Sequence, residues 1–103
     1  MHAVKRVEII ANSSELAKIL EGLNAAGAPG YTVIRNVTGK GIMGNISDDE
    51  VTTLSNVYVL CYCAEDKIKP IVEAIRPILN KFGGVCYVSD AMEIRSVRCV
   101  SHL

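Results

Sequence analysis

Residues 27–44 read GAPGYTVIRNVTGKGIMG. A loop opening of Gly27, Pro29 and Gly30 leads into a β-rich run, Tyr31-Thr32-Val33-Ile34, and the stretch closes on Gly39-Lys40-Gly41 with Gly44 behind it. Glycines at alternate positions let a backbone turn tightly and bring its N–H groups close to an anion, and Lys40 adds a point charge. The stretch therefore predicts a strand that delivers a phosphate-binding loop. The competing reading is that the glycines only shape a connection, and so short a motif does not decide between the two.

Working outward towards the N-terminus, Val7, Ile9 and Ala11 alternate with more polar neighbours from Ala3 to Ala11, the pattern of a strand with one covered face. Asn12 and Glu15 then have the spacing of a helix capping box, with Ser13 as a rival cap. Leu16, Ile19, Leu20 and Leu23 follow at helical intervals, and Gly27 suits the position just past a helix end.

In the other direction, Tyr31 to Val37 is read as the second strand. Thr38 to about Thr52 is then a loop rich in Gly, Asn, Ser and Asp, with an acidic patch at Asp48-Asp49-Glu50. A connection of that length in so small a chain points to function. Thr53 to Cys63, dense in β-branched and aromatic residues, predicts a third strand. An apolar stripe of Ile68, Ile71, Val72, Ile75, Ile78, Leu79 and Phe82 predicts a second helix from about Asp66 to Phe82. Pro70 suits its first turn, whereas Pro77 falls inside the pattern, where it should bend the helix or open one hydrogen bond. Gly83-Gly84 stops the helix, Val85 to Val88 makes a fourth strand, and Ala91 to Val100 continues extended towards a polar tail.

The order β-α-β, long loop, β-α-β predicts an α+β fold, a ferredoxin-like β-α-β-β-α-β sandwich with an antiparallel four-stranded sheet and two helices on one face. Val57, Val59 and Cys61, with Tyr58, Leu60, Tyr62 and Tyr87, make the third and fourth strands apolar on both faces, yet the chain has no third layer. Self-association in a closed ring is the natural cover.

Composition narrows the function. The chain has 103 residues, half of them hydrophobic, and equal numbers of acidic and basic residues, which fits one domain over 1–103 with a real core. Zero net charge argues against a nucleic-acid partner, since such binders usually carry a basic face. No apolar run approaches a membrane span and the N-terminus lacks a secretory h-region, so direct membrane insertion is not expected and a cytoplasmic location is. Of the four cysteines, Cys61 and Cys63 are two apart in a strand and share one face, which reads best as a pair of buried reduced thiols.

The order of elements, Gly30-Tyr31-Thr32-Val33 ahead of a GKG turn at residues 39–41, the long loop after the second strand and the double glycine before the fourth together resemble the PII family. Within it the chain is most similar to the PII-like proteins linked to bicarbonate transport and carboxysomes. The resemblance implies a homotrimer that binds adenine nucleotides in clefts between neighbouring subunits. It also implies a long loop over 39–56, the T-loop, that changes conformation with the ligand and engages a target protein, a membrane transporter or a protein of carbon metabolism. Position by position, it places Thr32 on the adenine base, Gly39 and Gly41 at the phosphate-facing root of the T-loop, Gly83 and Gly84 in the B-loop, and Arg95 as a phosphate-binding arginine reaching across the cleft.

The departures shape the expected ligand. Glu93 stands where typical members have another arginine, and Gly83 and Val85 stand where their B-loop has Asp and Lys. Each charge-assisted hydrogen bond lost costs roughly 1.5–3 kcal/mol, so ADP or AMP is favoured over ATP, with Lys40 and Arg98 in position to compensate. Met43 replaces the glutamine that serves magnesium and 2-oxoglutarate binding, and the loop lacks the tyrosine that is uridylylated elsewhere in the family. Bicarbonate as a co-ligand follows from the subfamily likeness alone.

The expected function is thus a non-catalytic sensor in which nucleotide binding sets the T-loop conformation. The alternative is a metal-sensing or metal-tolerance trimer of CutA type, with Cys61, Cys63, Cys86, Cys99, His2 and His102 as candidate ligands. No Ser/His/Asp or Cys/His constellation suggests an enzyme.

Overall fold

A computed structural model describes residues 1–39 and 55–96 of the chain. The elements run β1 (His2–Asn12), a short 3-10 turn (Ser13–Glu15), α1 (Leu16–Ala25), β2 (Thr32–Val37), β3 (Asn56–Cys63), a second 3-10 turn (Glu65–Lys67), α2 (Ile68–Phe82) and β4 (Val85–Glu93). The strands form one sheet in the order β2-β3-β1-β4, every neighbouring pair antiparallel. This is the ferredoxin-like sandwich that the order of elements predicts.

Period-two alternation in β1 and β3 decides which face is covered. Val7, Ile9 and Ala11 of β1 and Val57, Val59, Cys61 and Cys63 of β3 are buried, and register pairs them as Val7 with Cys61, Ile9 with Val59 and Ala11 with Val57. Leu16, Ile19 and Leu23 of α1 and Ile71 and Ile75 of α2 complete the same core. Each Val, Leu or Ile side chain so removed from water contributes about 1.5–3 kcal/mol. The two helices meet at Gly22, where a Cβ would lie in ordinary contact, 3.5 Å from the Ala74 Cβ.

The helix ends follow local chemistry. The Asn12 side chain accepts from the Ser14 N–H at 3.0 Å, so Asn12 is the cap, while Glu15 accepts from the Ser14 hydroxyl at 3.1 Å. Gly27 takes φ +82° after α1, as its position predicts. The second helix begins at Ile68, where its apolar stripe starts, and not at about Asp66 as expected, because residues 65–67 form the separate 3-10 turn, and α2 then runs through Pro77 to Phe82. The fourth strand is longer than expected and continuous from Val85 to Glu93, because pairing with β1 from Ile10 to His2 holds it through Ser89 and Asp90.

The opposite sheet face carries Ile10, Ile34, Tyr58, Leu60, Tyr62 and Tyr87, and no described element covers it. Ile34, Tyr62 and Tyr87 remain 51%, 37% and 56% exposed. No helix among the described residues is long and apolar enough to cross a membrane.

Candidate functional site

The end of the sheet at which β1 and β2 finish and β3 and β4 begin gathers the glycine-rich segments. Val37 pairs with Asn56, Asn56 with Asn12, and Val85 with Ile10, so Gly39 lies just past the end of β2 and Gly83-Gly84 just before the start of β4. These two segments occupy opposite edges of the sheet, about 14 Å apart at the strand spacing of roughly 4.8 Å.

The root of the 39–55 segment is shaped on both sides. On the β2 side the register slips between Arg35 and Val37, and Asn36 takes a left-handed conformation at φ +58°. Bulges of this kind bend a strand and re-aim the residues beyond it, here the Thr38-Gly39 exit. On the β3 side the Ser13 N–H donates to the Ser55 carbonyl at 2.8 Å, and the Ser13 hydroxyl reaches the same carbonyl at 2.7 Å. The chain therefore leaves β2 from a kinked strand and re-enters β3 clamped to the β1-α1 junction. Neither device is legible in the sequence; Asn at position 36, a residue tolerant of positive φ, is the available signal for the bulge.

The double glycine is demanded by the backbone. Gly83 takes φ +87° while its N–H donates to the Leu79 carbonyl at 2.8 Å, ending α2. Gly84 takes φ +123°, and a Cβ there would lie 2.7 Å from the Ile10 carbonyl oxygen. This turn seats α2 on the end of β1 and leaves the backbone free of side chains at that corner.

The remaining sequence-predicted residues are dispersed. Thr32 opens β2 opposite Leu60 and is exposed on the uncovered face. Arg95 lies beyond β4, at the end of the sheet away from Gly83-Gly84, with its Nε 2.5 Å from Glu93 Oε1. Lys40, Gly41 and Arg98, with the acidic patch at 48–50 and Met43, lie outside the described residues. Among the described residues, one chain does not close Thr32, Gly39, Gly83-Gly84 and Arg95 around a ligand. A cavity of about 270 Å³ among the described residues lies elsewhere, lined by Val4, Lys5, Glu65, Asp90 and Met92 among others.

The uncovered face also holds a polar network that composition alone does not reveal. Glu8 accepts from the Tyr58 hydroxyl at 2.5 Å and lies 3.2 Å from Arg6 Nε, which also donates to Ser89 Oγ at 3.1 Å. The bond to Glu8, with some desolvation, pushes the Tyr58 hydroxyl up to about 12.

The thiols of Cys61 and Cys63 belong to the core, and burial pushes Cys61 up to about 11 and Cys63 and Cys86 upward as well. A metal needs the thiolate, which this environment disfavours. Among the described residues no three His, Cys, Asp or Glu side chains are grouped to hold a metal. The cysteine ligand set of the metal-sensing alternative thus gains no support from its three strand members, Cys61, Cys63 and Cys86.

With this geometry established, the family model of the nitrogen regulatory protein P-II matches residues 4–98. The chain belongs to the P-II family. Solved structures agree: CPII of Thiomonas intermedia K12 bound to ADP, AMP and acetate is 26% identical, with a TM-score of 0.79 and 91% of each chain covered. The same protein bound to ADP and bicarbonate is 26% identical over 87% of each chain with a TM-score of 0.75, and its apo form 27% identical with a TM-score of 0.73, covering 87% of this chain and 90% of that one. No match was found among curated proteins.

Proposed function

We propose that this P-II chain is a non-catalytic, cytoplasmic regulator that assembles as a homotrimer, binds ADP or AMP in clefts between subunits, and uses the loop over 39–56 to act on a partner protein. The whole of 1–103 forms one such domain. The observation that carries the reading is the dispersal of the candidate residues: Thr32 and Gly39 lie on the β2 edge, Gly83-Gly84 and Arg95 at opposite ends of the β4 edge, and an uncovered apolar face supplies a reason for copies to meet. A ring of subunits would bring the Arg95 end of one chain against the Thr32 and Gly39 edge of the next. The likeness to CPII, which holds ADP and AMP, supports the ligand class.

Within the cleft, Thr32 serves the adenine base. Gly39, Lys40 and Gly41 on one side and Gly83 and Gly84 on the other present N–H groups and a charge to the phosphates, and Arg95 and Arg98 close the site from the neighbour. Bicarbonate as a second, small-anion ligand is supported by its presence with ADP in CPII. A role in inorganic carbon metabolism, with a transporter or carbon-metabolism protein as target, rests on that same likeness.

Calorimetric titration of the assembled protein with ADP, AMP and ATP, with and without bicarbonate, tests the reading. The expected order is ADP or AMP tighter than ATP, with bicarbonate altering the ADP isotherm. Absence of heat with all three nucleotides overturns it.

A further inference from the structure

Glu93 and Arg95 sit where the proposed cleft receives its cation from the neighbour. Glu93 is the last residue of β4 and is held in register opposite His2 of β1, whereas Arg95 lies two residues beyond the ladder. The Glu93 side chain is 32% exposed and the Arg95 side chain 63%, so the carboxylate is the anchored member of the pair. Its Oε1 takes the Nε–H edge of the guanidinium at 2.5 Å. A guanidinium has five N–H donors, so the Nη groups of Arg95 stay available to a ligand even while Nε is engaged.

We infer that Glu93 is a specificity-determining residue, an internal counter-anion that holds Arg95 and selects against nucleotides of higher phosphate charge. The inference rests on the nucleotide-binding reading above. With Glu93 in place the pair carries no net charge, so Arg95 offers directed hydrogen bonds and little net attraction. Each added phosphate brings more negative charge to a point beside a fixed carboxylate, and repulsion between like charges grows with that charge. The discrimination therefore runs in the order ATP, ADP, AMP, most strongly against ATP. It acts through a residue that touches Arg95 and need not touch the ligand.

The test is titration of the full-length protein and of Glu93→Gln and Glu93→Asp with ATP, ADP and AMP, at low and at high salt. Glu93→Gln keeps an acceptor for Arg95 Nε and removes only the charge. For an exposed pair the expected gain is about fivefold for ADP, more for ATP and less for AMP, shrinking at high salt. Glu93→Asp, which keeps the charge, retains the parent's preference order. Thermal melts of each variant report whether it folds, and the ranking across three ligands within one variant does not depend on its overall stability. If the parent binds ADP and Glu93→Gln shifts all three nucleotides equally or not at all, or Glu93→Asp behaves like Glu93→Gln, the role of Glu93 is overturned while the nucleotide site stands. If neither parent nor variants bind any nucleotide, the site itself is refuted and the inference with it.

Discussion

Ser13 and Ser55 are fastened to one another by main chain and side chain together: the Ser13 N–H and hydroxyl both donate to the Ser55 carbonyl, and the two hydroxyl oxygens are 2.6 Å apart. The contact joins the first residue after β1 to the last before β3, so it sets the point at which the long segment rejoins the sheet.

Ser13→Ala removes the hydroxyl contacts and leaves the main-chain bond. We expect a loss of about 0.5–1.5 kcal/mol, the net worth of a typical hydrogen bond, read from urea denaturation midpoints. Because the clamp positions the loop root, ADP affinity should fall as well, in a variant that remains folded.

Gly84→Ala tests the opposite corner. The new Cβ meets the Ile10 carbonyl at 2.7 Å in a backbone with φ +123°. Strain at such a φ and overpacking each cost about 1–3 kcal/mol. The expected loss is the sum of the two, seen as a large drop in Tm, whereas Gly83→Ala at φ +87° should show the conformational cost alone.

These same positions show how much of the fold is legible in the sequence. Periodicity reveals β1, β3 and both helices, because burial on one face writes itself into alternate or helical positions, and Val7, Ile9 and Ala11 sit in the core as that alternation predicts. The double glycine is legible as a stop, but not as a packing necessity, since the Ile10 carbonyl it admits is 74 positions away in the chain. The Ser13-Ser55 clamp and the Tyr58-Glu8 bond are illegible for the same reason: pairings of distant polar residues leave no period in sequence. The Asn36 bulge leaves only a residue type. The full extent of β4 is hidden because Ser89 and Asp90 look like a turn, while their partners in β1 keep them in the sheet.

Tyr58 gives the fold a dependence on alkaline pH. Its folded value, about 12, is above the ordinary 10.0, so this contribution is complete below pH 10 and is lost as pH rises towards 12. Tyr58→Phe should flatten the decline in stability between pH 10 and 12, checked by denaturation midpoints across that range beside a spectroscopic tyrosinate titration. An unchanged slope would show that the bond to Glu8 does not govern it.

Cys61 and Cys63 should resist a thiol reagent in the native protein near pH 8, because burial holds both thiols protonated and shielded. Labelling followed by peptide mapping, with and without denaturant, should show modification of these two only after unfolding. Rapid native labelling, or protection by added zinc or copper, would revive the metal-sensing reading.

If the proposed ligand site forms only where copies of this chain meet, native mass spectrometry of the purified protein titrated with ADP should show a trimer that acquires up to three ADP molecules, with any dissociated single chains carrying none. A single chain that binds ADP by itself, or a trimer that binds none at saturating concentration, would contradict it.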